Sequence, residues 1–259
     1  MSPIAQPPPV RFAHNRPAPA GRPVRHAAWA RPVGRPRLTE ASLERKAMKK
    51  SMVSSPVVSR LPRYYRCLVE LNATSCVRVS SRTLADRLGL TASQVRQDFS
   101  CFGEFGQQGY GYNVRTLLAE ISDILGITRP NTAILVGCGN LGRAIAGHLD
   151  FRSCGITLMG AFDRNPDLEG TRVGEITILS TERMQDFVRE NRPHIAVLTV
   201  PGEAAQQVAD DLADWGVRSF WNLAGKEIYF ADPAINVENT SLLDSLLTLS
   251  YRLKEASGE

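Results

Sequence analysis

The stretch Ala133-Ile134-Leu135-Val136-Gly137-Cys138-Gly139-Asn140-Leu141-Gly142 decides how the second half of this chain folds. Its four leading apolar residues suit a short strand buried on both faces. Three glycines follow at G-x-G-x-x-G spacing, and a helical pattern, Arg143–Leu149, opens directly after them. Each glycine has a separate task. Gly137 permits a tight turn, Gly139 lets a pyrophosphate approach the backbone, and Gly142 lets the helix pack closely on the strand. The free N–H groups of the helix start attract an anion, with Cys138, Asn140 and Leu141 completing the turn.

Working outward, Asp163 closes the next strand candidate, Thr157–Phe162, 21 residues after Gly142. That is near the spacing of about 20 at which an acid meets an adenosine ribose. Its carboxylate can accept both ribose hydroxyls and repels a 2′-phosphate, which favours NAD(H) over NADP(H), although Arg164 beside it works the other way. Further strand candidates are Ile176–Leu179, His194–Val200 and Ser219–Leu223, separated by helical patterns near 181–190 and 203–215. Strands alternating with helices predict a Rossmann-type parallel sheet covered on both faces, here over 129–237. Thr199, Val200 and Pro201 then fall at its carboxyl edge, where open α/β sheets bind ligands.

Upstream, 51–128 reads as a winged helix-turn-helix domain. Leu61, Tyr64, Tyr65, Leu68 and Leu71 recur at helical spacing, with Pro62 expected in the first turn. Ser80 and Ser81 open a short helix that Gly89 ends, and Thr91 caps a second, Ala92–Phe99. Val95, Phe99 and Phe102 face inward. Ser93, Arg96, Gln97 and Ser100 then point outward beside Gln94, and these are side-chain types that read base edges or phosphates. Gly103–Asn113 alternates glycines with aromatics, and Gln107-Gln108 reads as the tip of a wing hairpin.

Composition bounds the rest. The 259 residues are 43% hydrophobic and 22% charged, ordinary for a globular chain, and no apolar run is long enough to span a bilayer. Five cysteines without a C-x-x-C pair argue against a disulfide framework or a zinc site and suit a reducing cytoplasm. The net charge of +5 divides into +9 for residues 1–50, +3 for 51–130 and −7 for 131–259. Global basicity therefore comes from the tail and is a weak argument for DNA binding, which has to rest on motifs. Residues 1–50 hold 9 of the 16 prolines and are expected to be a disordered basic extension. It reads either as an arm adding nonspecific DNA affinity or as an upstream stretch without a role, with Met48 and Met52 standing just before the first folded helix. At the other end, 238–259 carries an apolar helix from Glu238 to Tyr251, expected to pack on its own sheet or to exchange onto a partner subunit.

Only about 35 residues follow the last strand candidate, Ser219–Leu223, too few for a substrate domain. His148 and His194 read as structural, and no paired acid and base stand out. A sensor is favoured over the alternative, an NAD-dependent oxidoreductase with an appended helical interaction domain. A nucleotide-binding scaffold that recruits a protein is the third reading.

The chain from Ser59 to Leu253 resembles the Rex family of redox-sensing transcriptional repressors. The resemblance rests on Arg60–Arg66, Ser80-Ser81 with Leu84-Ala85, Gln94–Phe99, Phe102-Gly103, Gly111-Tyr112-Asn113, Gly137–Gly142, Thr199-Val200-Pro201, Ala205-Gln206 and Leu249-Ser250-Tyr251. It implies a homodimer with an N-terminal winged helix, a Rossmann domain binding NADH or NAD⁺, and a C-terminal helix swapped onto the other subunit. Such repressors hold palindromic operator DNA when NADH is scarce and release it when NADH binds. Many relatives have Lys where this chain has Gln97 and a basic wing tip where it has Gln107-Gln108, which implies an altered operator preference. Some pair an Asp of the terminal segment with an Arg and a Tyr. The Arg aligns with Arg66, but Ser241 and His148 stand at the other two positions.

Overall fold

A computed structural model describes residues 53–103, 105 and 110–257. The extension 1–50 and the wing tip with Gln107 and Gln108 lie outside the described residues.

The first helix, α1, runs Ser55–Ala73 with Pro56 in its first turn. Pro62 is therefore inside the helix, not at its start as the sequence implied. It sits on the exposed side, where solvent can serve the carbonyl that loses its donor. β1 (Arg78–Val79) leads into α2 (Ser81–Leu88), capped by Ser80 Oγ accepting from Thr83 N–H at 3.0 Å and ended by Gly89 at φ +65°. In α3 (Ala92–Ser100), Thr91 Oγ1 accepts from Gln94 N–H at 3.1 Å. β2 (Tyr112–Asn113) pairs antiparallel with β1 as the returning edge of the wing. Gly111 precedes it at φ +68°, where a Cβ would stand 2.7 Å from the Val79 carbonyl oxygen. Asn113 caps α4 (Val114–Ile124). Leu61, Tyr64, Leu68, Leu84, Val95, Phe99, Leu117 and Ile121 form the core of this helical layer, each 2% exposed or less. Phe102 is only half-buried because the helix ends before it.

The second layer is a seven-stranded sheet in the order β5-β6-β4-β3-β7-β8-β9. Its strands are β3 (Asn131–Val136), β4 (Ile156–Asp163), β5 (Arg172–Val173), β6 (Ile176–Ser180), β7 (Ile195–Leu198), β8 (Ser219–Asn222) and β9 (Asn236–Asn239). All neighbours are parallel except β5 with β6. One face packs Ile134, Val136, Phe162, Ala196 and Leu198 against α6 (Met184–Asn191) and α7 (Gly202–Asp214). The other packs Leu135, Ala161, Ile178 and Val197 against α5 (Asn140–His148) and the turn at Phe151. Alternate residues of β3 thus serve opposite faces, as the pleat requires. The terminal helix α8 spans Leu242–Ser257 and does not begin at Glu238, because Glu238 and Asn239 pair with Trp221 and Asn222 as the last rungs of the sheet. Sequence reading missed β1, β5 and β9; each is two to four residues long and carries no run of apolar alternation.

Candidate nucleotide site and nucleic-acid interface

β3 has β4 on one side and β7 on the other, so the chain reverses its winding direction between β3 and β7. A crevice opens outside the carboxyl ends of strands at such a point. Here it is bounded by Gly137 after β3 and Thr199–Pro201 after β7. Gly137 has φ +94°, and a Cβ there would lie 2.8 Å from the Thr199 carbonyl oxygen. A Cβ on Gly142 would overlap the Gly137 carbonyl. These two glycines let turn, helix and neighbouring strand touch. Gly139 differs: no atom lies within 4 Å of where its Cβ would be, so it faces open space. It is the N-cap of α5 and no side chain caps that helix, leaving the N–H groups of the first turn directed at the crevice.

Side chains hold the turn in shape. Thr199 Oγ1 donates to the Gly137 carbonyl at 2.6 Å, and Arg143 Nε donates to the Cys138 carbonyl at 3.2 Å. Asp163 Oδ2 accepts from Cys138 N–H at 2.6 Å and Oδ1 from Asn165 N–H at 2.8 Å. A carboxylate has about four acceptor positions, so each oxygen retains one for a ribose hydroxyl. A groove of about 810 Å³ joins Gly137, Gly139, Asp163, Arg164, Thr199 and Pro201 to the apolar side chains of Met184, Val208 and Trp215. Bare helix N-terminus, acid and apolar groove fit a dinucleotide. Val200, Leu141 and Cys138 complete the sequence-predicted set. Val200 and Leu141 line the groove, whereas Cys138 is buried beneath the turn with its N–H bonded to Asp163 and its carbonyl to Arg143. Asn140 is exposed at the first position of α5. The sequence does not single out Arg143, Met184, Val208 and Trp215. Their helical spacing is that of ordinary core and surface positions.

Burial, reinforced by the Asp163 charge, pushes the Cys138 thiol from 9.0 up to about 12. The buried neutral thiol therefore favours the folded state below pH 9.0, and this contribution fades as pH rises toward 12. Iodoacetamide at pH 8 is expected to label exposed Cys154 first and to leave Cys138 unlabelled until the chain unfolds. Peptide mass mapping checks this, and early labelling of Cys138 contradicts it.

On the helix-turn-helix, α3 presents Ser93, Arg96, Gln97 and Ser100 outward, with Gln94 half-buried. Arg96 is already held: Nη1 donates to Ser81 Oγ and Nη2 to Ser93 Oγ, both at 3.1 Å. The Ser100 hydroxyl donates to the Gln97 carbonyl at 2.7 Å and Ser80 Oγ accepts the Thr83 N–H, and each oxygen keeps acceptor capacity. No hydrogen bond takes the Gln97 amide among the described residues, so Arg96 and Gln97 are the long exposed side chains of this helix face. On the inner face, Asp98 is 1% exposed and accepts from Arg60 and Tyr64 of α1. If Gln97 abuts the duplex, Gln97→Lys adds one phosphate-neutralising charge. It should steepen the logarithmic salt dependence of binding by about 0.9. Titrations at several salt concentrations test this, and an unchanged slope places position 97 off the DNA.

α8 buries none of its residues: Leu242, Leu243, Leu246, Leu247, Leu249, Tyr251 and Leu253 are each 58% exposed or more. Among the described residues, no helix is long and apolar enough to cross a membrane.

Fold and site together define a winged-helix protein joined to a nucleotide-binding Rossmann domain. Family models agree at both ends: "Putative DNA-binding protein N-terminus" matches residues 52–100 and "CoA binding domain" matches 128–225. The redox-sensing transcriptional repressor Rex of Caldanaerobacter subterraneus subsp. tengcongensis is 44% identical over 80% of this chain and 92% of its own. Rex of Clostridioides difficile is 45% identical over 78% and 96%. Among solved structures, RSP in complex with β-NAD⁺ and operator DNA superposes with TM-score 0.75 at 42% identity, covering 80% of this chain and 94% of that one. RSP in complex with β-NADH gives 0.73 at 39%, covering 80% and 96%. The chain belongs to the Rex family of redox-sensing transcriptional repressors.

Proposed function

We propose that this protein is a cytoplasmic, homodimeric repressor that holds palindromic operator DNA when NADH is low relative to NAD⁺ and releases it on binding NADH. One observation carries the reading: a crevice suited to NAD(H) and a helix-turn-helix with a preset arginine occur in one chain of a family of redox sensors. Residues 51–128 read DNA through Arg96 and Gln97, aided by Ser80, Ser81, Ser93, Gln94, Ser100 and the wing residues Gln107 and Gln108. Residues 129–239 hold the coenzyme at Gly137–Gly142, Asp163 and Thr199–Pro201. α8 joins two subunits.

NADH supplies differential binding energy to one of two dimer arrangements and is not consumed. In one arrangement the two copies of α3 stand about 34 Å apart, or a multiple of that, and fit successive major grooves. In the other they do not. Shifting the population from 1:99 to 99:1 takes about 5.5 kcal/mol of preference for the second arrangement. Discrimination against NAD⁺ requires a site that penalises the nicotinamide charge, as an apolar seam does.

A gel shift on a palindromic duplex with NAD⁺, titrated with NADH, tests the reading. Release by NADH supports it. Absence of any specific shift, together with substrate-dependent NADH turnover, favours the oxidoreductase alternative.

A further inference from the structure

Asp98 and Asn222 are the buried polar side chains among the described residues, and Asp98 is the charged one. It lies on the inner side of α3, next in sequence to exposed Gln97. Arg60 Nε donates to Oδ2 at 2.7 Å, Arg60 Nη2 to Oδ1 at 2.8 Å, and Tyr64 Oη to Oδ2 at 2.7 Å. Both donors come from α1, four residues apart, on one face of that helix. The Tyr64 ring meets Phe99 edge-on at 4.8 Å. Phe99 in turn meets Tyr112 at 5.1 Å and Phe105 at 5.8 Å, at the base of the wing. A single carboxylate thus ties α1 to α3, and the adjacent aromatic ring continues the tie to the wing.

Stability alone does not account for such a cluster. Well-packed apolar residues replace a buried ion pair with little or no loss, and often with a gain. What apolar packing does not supply is direction. A guanidinium fork on a carboxylate is planar and bidentate, so it fixes the rotation of α3 about its own axis as well as its distance. Successive side chains on a helix are about 100° apart, so any rotation of α3 turns Arg96 and Gln97 away from the base edges they address. The hydrogen bonds that Arg60 donates to the Asp98 carboxylate also hold its guanidinium charged beyond its ordinary range.

We propose that Arg60, Asp98 and Tyr64 are positioning residues for sequence discrimination: they set the rotation of the recognition helix and the wing base, and touch no DNA themselves. This rests on the repressor reading above. A merely stabilising cluster would change the folded fraction and lower affinity for every duplex alike. A positioning cluster changes the ratio between a specific and a nonspecific site.

The test uses the full-length dimer. The wild-type protein first selects a palindromic duplex from a random pool, and fluorescence anisotropy then compares that duplex with a scrambled one of equal length. The variants are Arg60→Lys, which keeps the charge and loses the fork, Tyr64→Phe, and the double variant Arg60→Met/Asp98→Leu. Thermal unfolding and NADH binding serve as controls for the folded fraction. The double variant, folded, is expected to bind the scrambled duplex within about twofold of wild type while losing at least about tenfold on the selected one. Arg60→Lys falls between. If Arg60→Met/Asp98→Leu does not fold, Arg60→Lys decides. Retention of the wild-type ratio by a folded variant without the fork overturns the proposal. A wild-type protein that selects no palindrome overturns the repressor reading itself, and this inference with it.

Discussion

Asp163→Ala is expected to raise the NADH concentration needed for operator release by about one to two orders of magnitude while leaving operator affinity close to wild type. The magnitude corresponds to the net loss of one charge-assisted hydrogen bond to the ribose, about 1.5–3 kcal/mol, with about 1.4 kcal/mol per tenfold in affinity. Asp163 also holds the glycine turn through Cys138 N–H and Asn165 N–H, so weakened binding alone does not isolate the ribose contact. Coenzyme selectivity does. The carboxylate repels a 2′-phosphate, so its removal should narrow the gap between NADH and NADPH, whereas a loosened turn weakens both equally. Release by NADH at the wild-type concentration would contradict the assignment of Asp163.

The second large effect belongs to α8. Seven large apolar side chains stand exposed along 16 residues of helix. A contiguous apolar surface of this kind marks an interaction site. Burying one such side chain contributes about 1.5–3 kcal/mol, so several together support a stable dimer. Leu243→Glu/Leu247→Glu places two charges in that seam and should yield a folded monomer by sedimentation. Its operator affinity should fall toward the nonspecific range of about 10⁻⁴–10⁻⁶ M, because one recognition helix cannot span a palindrome. A variant that stays dimeric and binds normally would show that α8 packs elsewhere.

Sequence alone carried the nucleotide half far. Glycine spacing, the acid 21 residues on and the apolar run before the turn each reflect a local constraint, and all three recur in the structure. Caps at Ser80, Thr91 and Asn113 are equally local; the first two were read in advance. What stayed hidden depends on distant partners. Asp98 looks like any helix-surface acid until Arg60, 38 residues earlier, is folded onto it. The same holds for β9, whose residues alternate weakly and become a strand only by pairing with β8. Pro62 misled for a related reason: proline's cost in a helix depends on which side of the helix faces solvent, and packing decides that. Residue type places Ser80 and Ser100 toward DNA but does not reveal that Ser80 Oγ also caps its own helix and that the Ser100 hydroxyl also donates to the Gln97 carbonyl.

In the proposed function, coenzyme and operator compete through the arrangement of one dimer. Linkage makes this symmetrical: whatever factor NADH applies to operator affinity, operator must apply to NADH affinity. The most direct measurement is therefore the NADH dissociation constant of the dimer, taken once free and once with a saturating palindromic duplex. NADH is expected to bind more weakly on DNA, by the same factor that NADH imposes on operator binding, with a much smaller change for NAD⁺. An NADH dissociation constant unaltered by operator would contradict it.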